Sequence, residues 1–595
     1  MVARDAPSVS VAAMGDGSTV ARAWRRAIGF HTAHPVTTAM VVASAMSCSV
    51  YWSLLAHVRS VTPADPDSAL FVWSMQHVPH RLLHGQNPFY SSAIFSTSGG
   101  ANLAFSATAP LLGVLMAPIT FLLGPVAAFN VLTALTPVLN TLAARRLLRV
   151  VSGVSGACTT LGALLVGFSP MIMMHNGARQ QLVFQALSLL LMCELWILGR
   201  DYVAARSISR GHMVRAAVLA GAQLWIGSEQ LAIVAIIAVV VVVIAFAFAP
   251  KRGSGAPGLI SLTRRDLLTM VAAVGTMLAV GAPFLAAFFF GNERYTAGYH
   301  VAARPLFGLR LANLVTPTQA TLLHTHLPLS VDRVTMSVFR DEDTGYIGLL
   351  AIAALLLIVL TWRRRTAVQR GAVLVCVICW LFALGPTVRW SGAGSGPPGP
   401  WRLVARLPVM QEIVANRLTM AVFISLGVLV ATVGQTSGGE LSLAQHRQER
   451  SLRVVTPLLA LLLIPATARA PRMVAAAGDR ILEASCRGAL LVTMPQSLEQ
   501  EAMAWQARTD FAFNLYRGFA FRASTLPKGD RLLIDAIAET GILGNGAGAD
   551  ALDELQLHHI GCVVTLAASV ATIDNLIPVL GTPIIAGDVA VWPRG

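Results

Sequence analysis

The chain has 595 residues, 55% of them hydrophobic and only 12% charged, with a formal net charge of +15. Apolar runs of about 16–25 residues recur along it, the length a bilayer-spanning helix requires, and this composition predicts an α-helical polytopic membrane protein. The basic residues cluster between the apolar runs, as cytoplasmic retention of Lys/Arg loops dictates, so the positive charge is accounted for and nucleic acid is excluded as a partner.

In chain order, residues 1–35 form a polar cytoplasmic segment with Arg22, Arg25 and Arg26. The first apolar run, 36–58, has no small-residue cleavage site after it and reads as a retained helix rather than a signal peptide. Further spans are expected at 125–143, 157–174, 181–199, 213–229, 230–249, 266–290, 345–361, 371–386, 417–434 and 454–468. The run APLLGVLMAPITFLLG (109–124) is short and broken by Pro118, which suits a re-entrant or interfacial segment. With about eleven crossings and the N-terminus inside, the Arg145/Arg146/Arg149, Arg200/Arg206/Arg210, Lys251/Arg252/Arg264/Arg265, Arg363–Arg365 and Arg447/Arg450/Arg453 clusters all face the cytoplasm.

The membrane domain then runs from 36 to 468, and residues 469–595 lie outside. That last stretch is more polar, with short β-branched segments at 490–494, 562–567 and 583–592 around a helix-like SLEQEAMAWQA (497–507). It reads as a small exoplasmic α/β domain. Cys486 and Cys562 fall within it, where a disulfide is permitted. The other cysteines lie in apolar runs and read as small hydrophobes.

Charge is costly in the bilayer, so the polar residues to weigh are those gathered on one side. The first outer loop, 59–108, holds Asp65, Asp67, His77, His80, Arg81 and His84. Asp67 is the better placed of the two acids to cap a helix starting near 68, and Asp65 is the alternative. His77, His80, Arg81 and His84 are spaced to share one face of a helix lying on the membrane. Other outward positions carry His175, Asn176, Arg179 and Gln180, then Glu229. Beyond them come Glu293, Arg294, His300, Arg304, His324, His326 and Arg340–Asp343, and finally Arg389, Arg402, Arg406 and Arg417. Carboxylates beside arginines at an outer surface suit a reaction in which a hydroxyl loses its proton while a phosphate leaves. Lipid-linked sugar phosphates present that leaving group at a membrane, so the chemistry expected is glycosyl transfer.

The segments ADPDSALFVW (64–73), PHRLLHGQNPFY (79–90), GGANLAF (99–105), FSPMIMMHNGARQQL (168–182), IGSEQLAI (226–233), ANLVTPT (312–318), EDTGYIGLL (342–350), ALGPTVRW (383–390), PWRLVARLPVMQEIVANRL (400–418) and LLVTMPQSLEQEAMAWQARTDFAFNLYRGFAF (490–521) together resemble multi-spanning actinobacterial glycosyltransferases of the GT-C type. The resemblance implies the GT-C fold, an active site on the outer face of the cytoplasmic membrane and a polyprenyl-phosphate sugar donor. The acceptor it implies is a cell-envelope glycan or glycolipid. An acidic residue just after the first helix is that family's expected base. Here two acids flank Pro66: Asp65 is the match, because it begins the Asp-Pro run, and Asp67 is the alternative. Arg417 or Arg179 is the expected phosphate clamp and Glu229 a second pocket acid, while His80, Arg81 and His84 are acceptor contacts. The Asp-x-Asp spacing does not establish a metal, and no cofactor follows from the sequence; a divalent ion is left open. Two other classes use similar surfaces: a transporter or flippase of lipid-linked glycans, and a non-catalytic assembly subunit that keeps the fold.

Overall fold

The computed structural model describes residues 33–63, 65, 67–96, 99–205, 207–247, 263–291, 307–317, 321, 344–390, 396–407, 410–433, 471–473, 476–493, 498–519 and 548–594. The expected span 454–468, and Glu293, Arg294, His300, Arg304, His324, His326 and Arg340–Asp343, lie outside these residues. The chain opens with α1 (Pro35–Val50) and α2 (Trp52–Ala56), then β1 (Val61–Pro63) and α3 (Asp67–Leu83). A small hairpin, β2 (Tyr90–Ser91) with β3 (Ala101–Asn102), leads into α4 (Pro110–Leu123).

The helical body follows: α5 (Pro125–Ser152), α6 (Ala157–Gly167), α7 (Pro170–His175), α8 (Gln180–Val183), α9 (Ala186–Ala205), α10 (Arg210–Leu224), α11 (Ser228–Ala247), α12 (Arg264–Phe290), α13 (Leu349–Leu360), α14 (Ala367–Ala383) and α15 (Thr419–Ala431). Among the described residues, five helical stretches are long and apolar enough to cross a membrane: Pro125–Ser152, Ala157–His175, Gln180–Ala204, Ser228–Ala247 and Arg264–Phe290. The expected spans 36–58, 345–361, 371–386 and 417–434 coincide with shorter apolar helices, whereas 213–229 falls on α10, which is not long and apolar enough to rank with either set. Helix α4 has 14 residues, about 21 Å of helix against roughly 30 Å of hydrocarbon. It exposes Leu115, Phe121 and Leu122. Helices α6 and α15 touch backbone to backbone, for a Cβ on Gly162 would fall 2.5 Å from the Gly427 carbonyl oxygen. Small residues permit such contact where no hydrophobic effect draws helices together.

Between α7 and α9 the helix is broken, and the groups freed by the break find side-chain partners. Asn176 donates to the Tyr51 hydroxyl (2.6 Å) and the Thr133 carbonyl (2.9 Å). Asn140 donates to the Val183 carbonyl (2.7 Å) and accepts from the Gln185 N–H (2.9 Å). Gln230 donates to the Leu182 carbonyl at 2.9 Å. Irregular backbone at this depth persists only when satisfied in this way, and the result is a well-held turn at 176–179.

The C-terminal residues supply β4 (Pro471–Met473), α16 (Ala476–Ser485), β5 (Leu490–Thr493), α17 (Glu499–Arg508), β6 (Asn514–Leu515), α18 (Gly548–Leu557), β7 (Ile560–Leu566), α19 (Val570–Leu580), β8 (Ile584–Ala586) and β9 (Val589–Pro593). Five of these strands form one mixed sheet in the order β6-β5-β7-β9-β8, with β5 parallel to β6 and β7, and β9 antiparallel to β7 and β8. Helix α17 is the crossover between parallel β5 and β6, the connection parallel strands need. Cys486, just past α16, is disulfide-bonded to Cys562 on β7. One face of the sheet closes a core of its own around Val563, Leu576 and Trp592. The other does not: Leu491, Met503, Trp505 and Phe513 belong to the same hydrophobic core as Leu70, Phe71 and Trp73 of α3. Of the C-terminal aromatics, Trp505, Phe513 and Tyr516 are buried, whereas Phe519 is 38% exposed.

Candidate functional site

Asp65 and Asp67 sit where β1 turns into α3. The cap comes from Asp65, whose Oδ1 accepts the Asp67 N–H at 3.0 Å. Of the two acids that the sequence offers as caps, Asp65 is the one that accepts this N–H. An Asx turn reaches two residues on, past Pro66, and leaves the Asp67 carboxylate to face outward from the helix start. Beneath the loop, Asn130 of α5 donates to the carbonyls of Val58 (2.9 Å) and Val61 (2.7 Å). Ser68 donates to the Gly177 carbonyl at 2.5 Å. Gly177 has φ +88°, and a Cβ there would lie 2.7 Å from Pro63 Cγ. Glycine is required on both counts.

The turn at 176–179 brings Arg179 to the acids: its Nε lies 3.4 Å from Asp67 Oδ2. Gln500, at the start of α17, comes within 3.4 Å of the other Asp67 oxygen. On the turn's other side, Gly227 packs over Gln181, and Gln230 holds the Leu182 carbonyl. Between those two contacts stands Glu229, ion-paired with Arg417 and accepting the Val414 N–H at 3.3 Å. Two charge pairs, Asp67–Arg179 and Glu229–Arg417, thus join four distant segments. All four side chains are partly exposed, from 14% to 27%.

His80, Arg81 and His84 belong elsewhere. His80 and Arg81 lie in the far half of α3, about 20 Å along the helix axis from Asp67, and His84 follows just past its end. The helix face that sequence spacing assigns to the membrane surface meets C-terminal residues instead. His77 is buried, stacked on Trp73 with ring centroids 4.2 Å apart and edge-on to Phe511 at 5.9 Å. His80 Nδ1 lies 3.2 Å from an Asp510 oxygen, and the His84 ring nitrogen is 2.7 Å from the His80 carbonyl. Burial, with Arg81 next, holds the His77 pKa down at about 3, so this imidazole is neutral and packs as an aromatic. Burial also lowers the Arg81 pKa from its usual value.

Arg310 is not among the outward charges that the sequence singles out, whereas Arg389 is. Both are buried, at 1% and 3% exposure, and their backbones form a bridge that joins segments 79 positions apart. The Leu311 N–H donates to the Arg389 carbonyl at 2.9 Å. The signal in the sequence was an arginine inside two otherwise apolar segments, FGLRLANL and ALGPTVRW. Among the described residues no group of three or more His, Cys, Asp or Glu side chains converges as a metal site would.

The architecture has counterparts among solved structures. The oligosaccharyltransferase of Archaeoglobus fulgidus in its apo form matches with a TM-score of 0.51 and 11% identity, over 89% of this chain and 69% of that one. The mycobacterial arabinofuranosyltransferase AftD matches with a TM-score of 0.52 and 13% identity, over 94% of this chain and 40% of that one. At such identity the likeness is one of fold, and the fold is GT-C-like. Among curated protein sequences none matches this chain. One family model covers residues 83–403, beginning after Asp65 and Asp67, and by that match over more than half its length the chain belongs to the family described as domain of unknown function DUF6311.

Proposed function

We propose that this protein is a glycosyltransferase of the outer face of the cytoplasmic membrane, moving a sugar from a polyprenyl-phosphate donor to a cell-envelope glycan or glycolipid. The observation that carries the reading is the pairing of the Asp65/Asp67 loop with Arg179 at the α7–α8 turn, in a fold shared with an oligosaccharyltransferase and an arabinofuranosyltransferase. Asp65 is the base that takes the acceptor-hydroxyl proton. Asp67 has its charge matched by Arg179 and orients that guanidinium. Arg179 and Arg417 stabilise the phosphate as it leaves, since a planar fork of donors fits its oxygens. Glu229 holds Arg417 in place, and His80, Arg81 and His84 at the far end of α3 stand on the acceptor side. The buried Cys486–Cys562 disulfide supports the orientation, for such bonds persist in oxidising surroundings.

The test is sugar transfer from a radiolabelled polyprenyl-phosphate donor in reconstituted membranes. Asp65→Asn keeps the cap acceptor and removes the base, so transfer should fall by about 10²–10⁴-fold with donor binding intact. Asp67→Asn should cost less. Full activity in the Asp65→Asn, Asp67→Asn double variant would falsify the mechanism and favour a transporter or assembly subunit.

A further inference from the structure

Residues 471–473 and 498–519 grip the acid-bearing stretch at both of its ends. Upstream, β4 pairs antiparallel with β1, placing Thr62 opposite Arg472 and Pro63 opposite Pro471. Two residues later comes Asp65. Downstream, one helical turn and a half beyond Asp67, the Trp73 Nε1–H donates to Gln506 Oε1 at 2.8 Å. Gln506 is fully buried. Its amide group also donates to the carbonyls of Ala93 (2.9 Å) and Phe513 (2.8 Å), so acceptor and donors are all engaged and three segments meet at one side chain. Beside it Phe511 lies against Trp73, His77 and His80. The Asp510 carboxylate accepts from Gln76 Nε2 at 2.8 Å. Asp510 and Phe511 both adopt left-handed backbone, φ +50° and +59°, a conformation that costs energy and persists where the surroundings enforce it.

Packing alone does not call for this arrangement. An apolar side chain at position 506 would leave the Trp73 N–H and the Ala93 and Phe513 carbonyls without the partner they have now. A fully satisfied buried amide fixes one geometry, because every displaced alternative leaves polar groups unpaired. We propose that β4 together with residues 498–519 is a positioning clamp for the Asp65/Asp67 loop, with Gln506 as its fixed point and the β1–β4 pair as its second hold. Gln506 touches no reacting atom and acts through Trp73 and α3. The kinetic part of this inference rests on the reading of Asp65 and Asp67 as the reacting acids; the structural part does not.

Two variants test it in the full-length protein in detergent. Trp73→Phe removes one N–H and keeps the ring stack on His77, while Gln506→Leu removes all three hydrogen bonds. Hydrogen–deuterium exchange across 61–73 should speed up by about 10-fold in Trp73→Phe, the equivalent of one lost buried hydrogen bond, and by more in Gln506→Leu. In the transfer assay kcat should fall by about 10- to 100-fold with KM for the donor within about 2-fold, the mark of misplacement rather than lost binding. A Thr62→Cys, Arg472→Cys pair should cross-link and keep the wild-type exchange pattern. Unchanged exchange in both variants, or failure of the pair to cross-link, overturns the clamp; faster exchange with unchanged kcat overturns its positioning role. Should the wild type transfer no sugar, the functional reading falls and the clamp is judged on exchange and cross-linking alone. If Gln506→Leu does not fold, Trp73→Phe decides.

Discussion

Only one residue separates Asp65 from Asp67: the Asp65 carboxylate accepts the N–H that starts α3, and the Asp67 carboxylate reaches Arg179 and Gln500. The Asp67–Arg179 contact depends on how closely the 176–179 turn approaches β1, and Gly177 sets that distance. Gly177→Ala would combine a left-handed φ with a Cβ driven into Pro63. It should destabilise the protein by about 1–3 kcal/mol and move Arg179 away from Asp67. A thermal melt in detergent checks the first effect and the transfer rate the second; a variant with the wild-type melting temperature would show that the turn tolerates a side chain.

At the scale of elements, α3 is the piece on which the site turns, because one end carries the acids and the rest is held by α17 and the residues after it. His77 makes that hold sensitive to pH. Its folded pKa of about 3 lies below the ordinary value of 6.5, so the unfolded or undocked form binds the proton more readily. The contribution is fully present above about pH 6.5 and is lost as pH falls toward 3. Arg81 and His80 add to the disfavour of the charged ring, whereas the Pro88 carbonyl opposes it. His77→Phe keeps an aromatic ring against Trp73 and cannot titrate. Melting temperatures at pH 7 and pH 4.5 should therefore differ less in His77→Phe than in the wild type, and an equal difference would remove His77 as the cause.

For the whole molecule, the testable matter is which way the chain sits in the bilayer. In the proposed orientation Val203, near the end of α9, lies inside, and Val570, at the start of α19, lies outside with the disulfide-bearing sheet. Both side chains are exposed, at 76% and 62%. In a background that keeps only Cys486 and Cys562, an impermeant maleimide added to intact cells should label Val570→Cys and spare Val203→Cys. The opposite pattern would invert the molecule and take the proposed active site with it.

The sequence by itself determined the helical body, for long apolar runs have one stable state in a bilayer and their basic flanks carry the expected orientation. It also marked Asp65, Asp67, Arg179, Glu229 and Arg417 as costly charges near the membrane's edge, and the β-branched segments of the C-terminal sheet. Which acid meets which arginine was decided only by the tertiary structure. Asp67 finds Arg179 across 112 positions and Glu229 finds Arg417 across 188, and local periodicity carries no information about contacts at such separation. The histidine face of α3 shows the limit most plainly. Its spacing fitted a membrane surface, but Phe511 and Asp510, some 430 positions away, cover it. Helical spacing shows that side chains share a face; what the face meets depends on how the chain folds back.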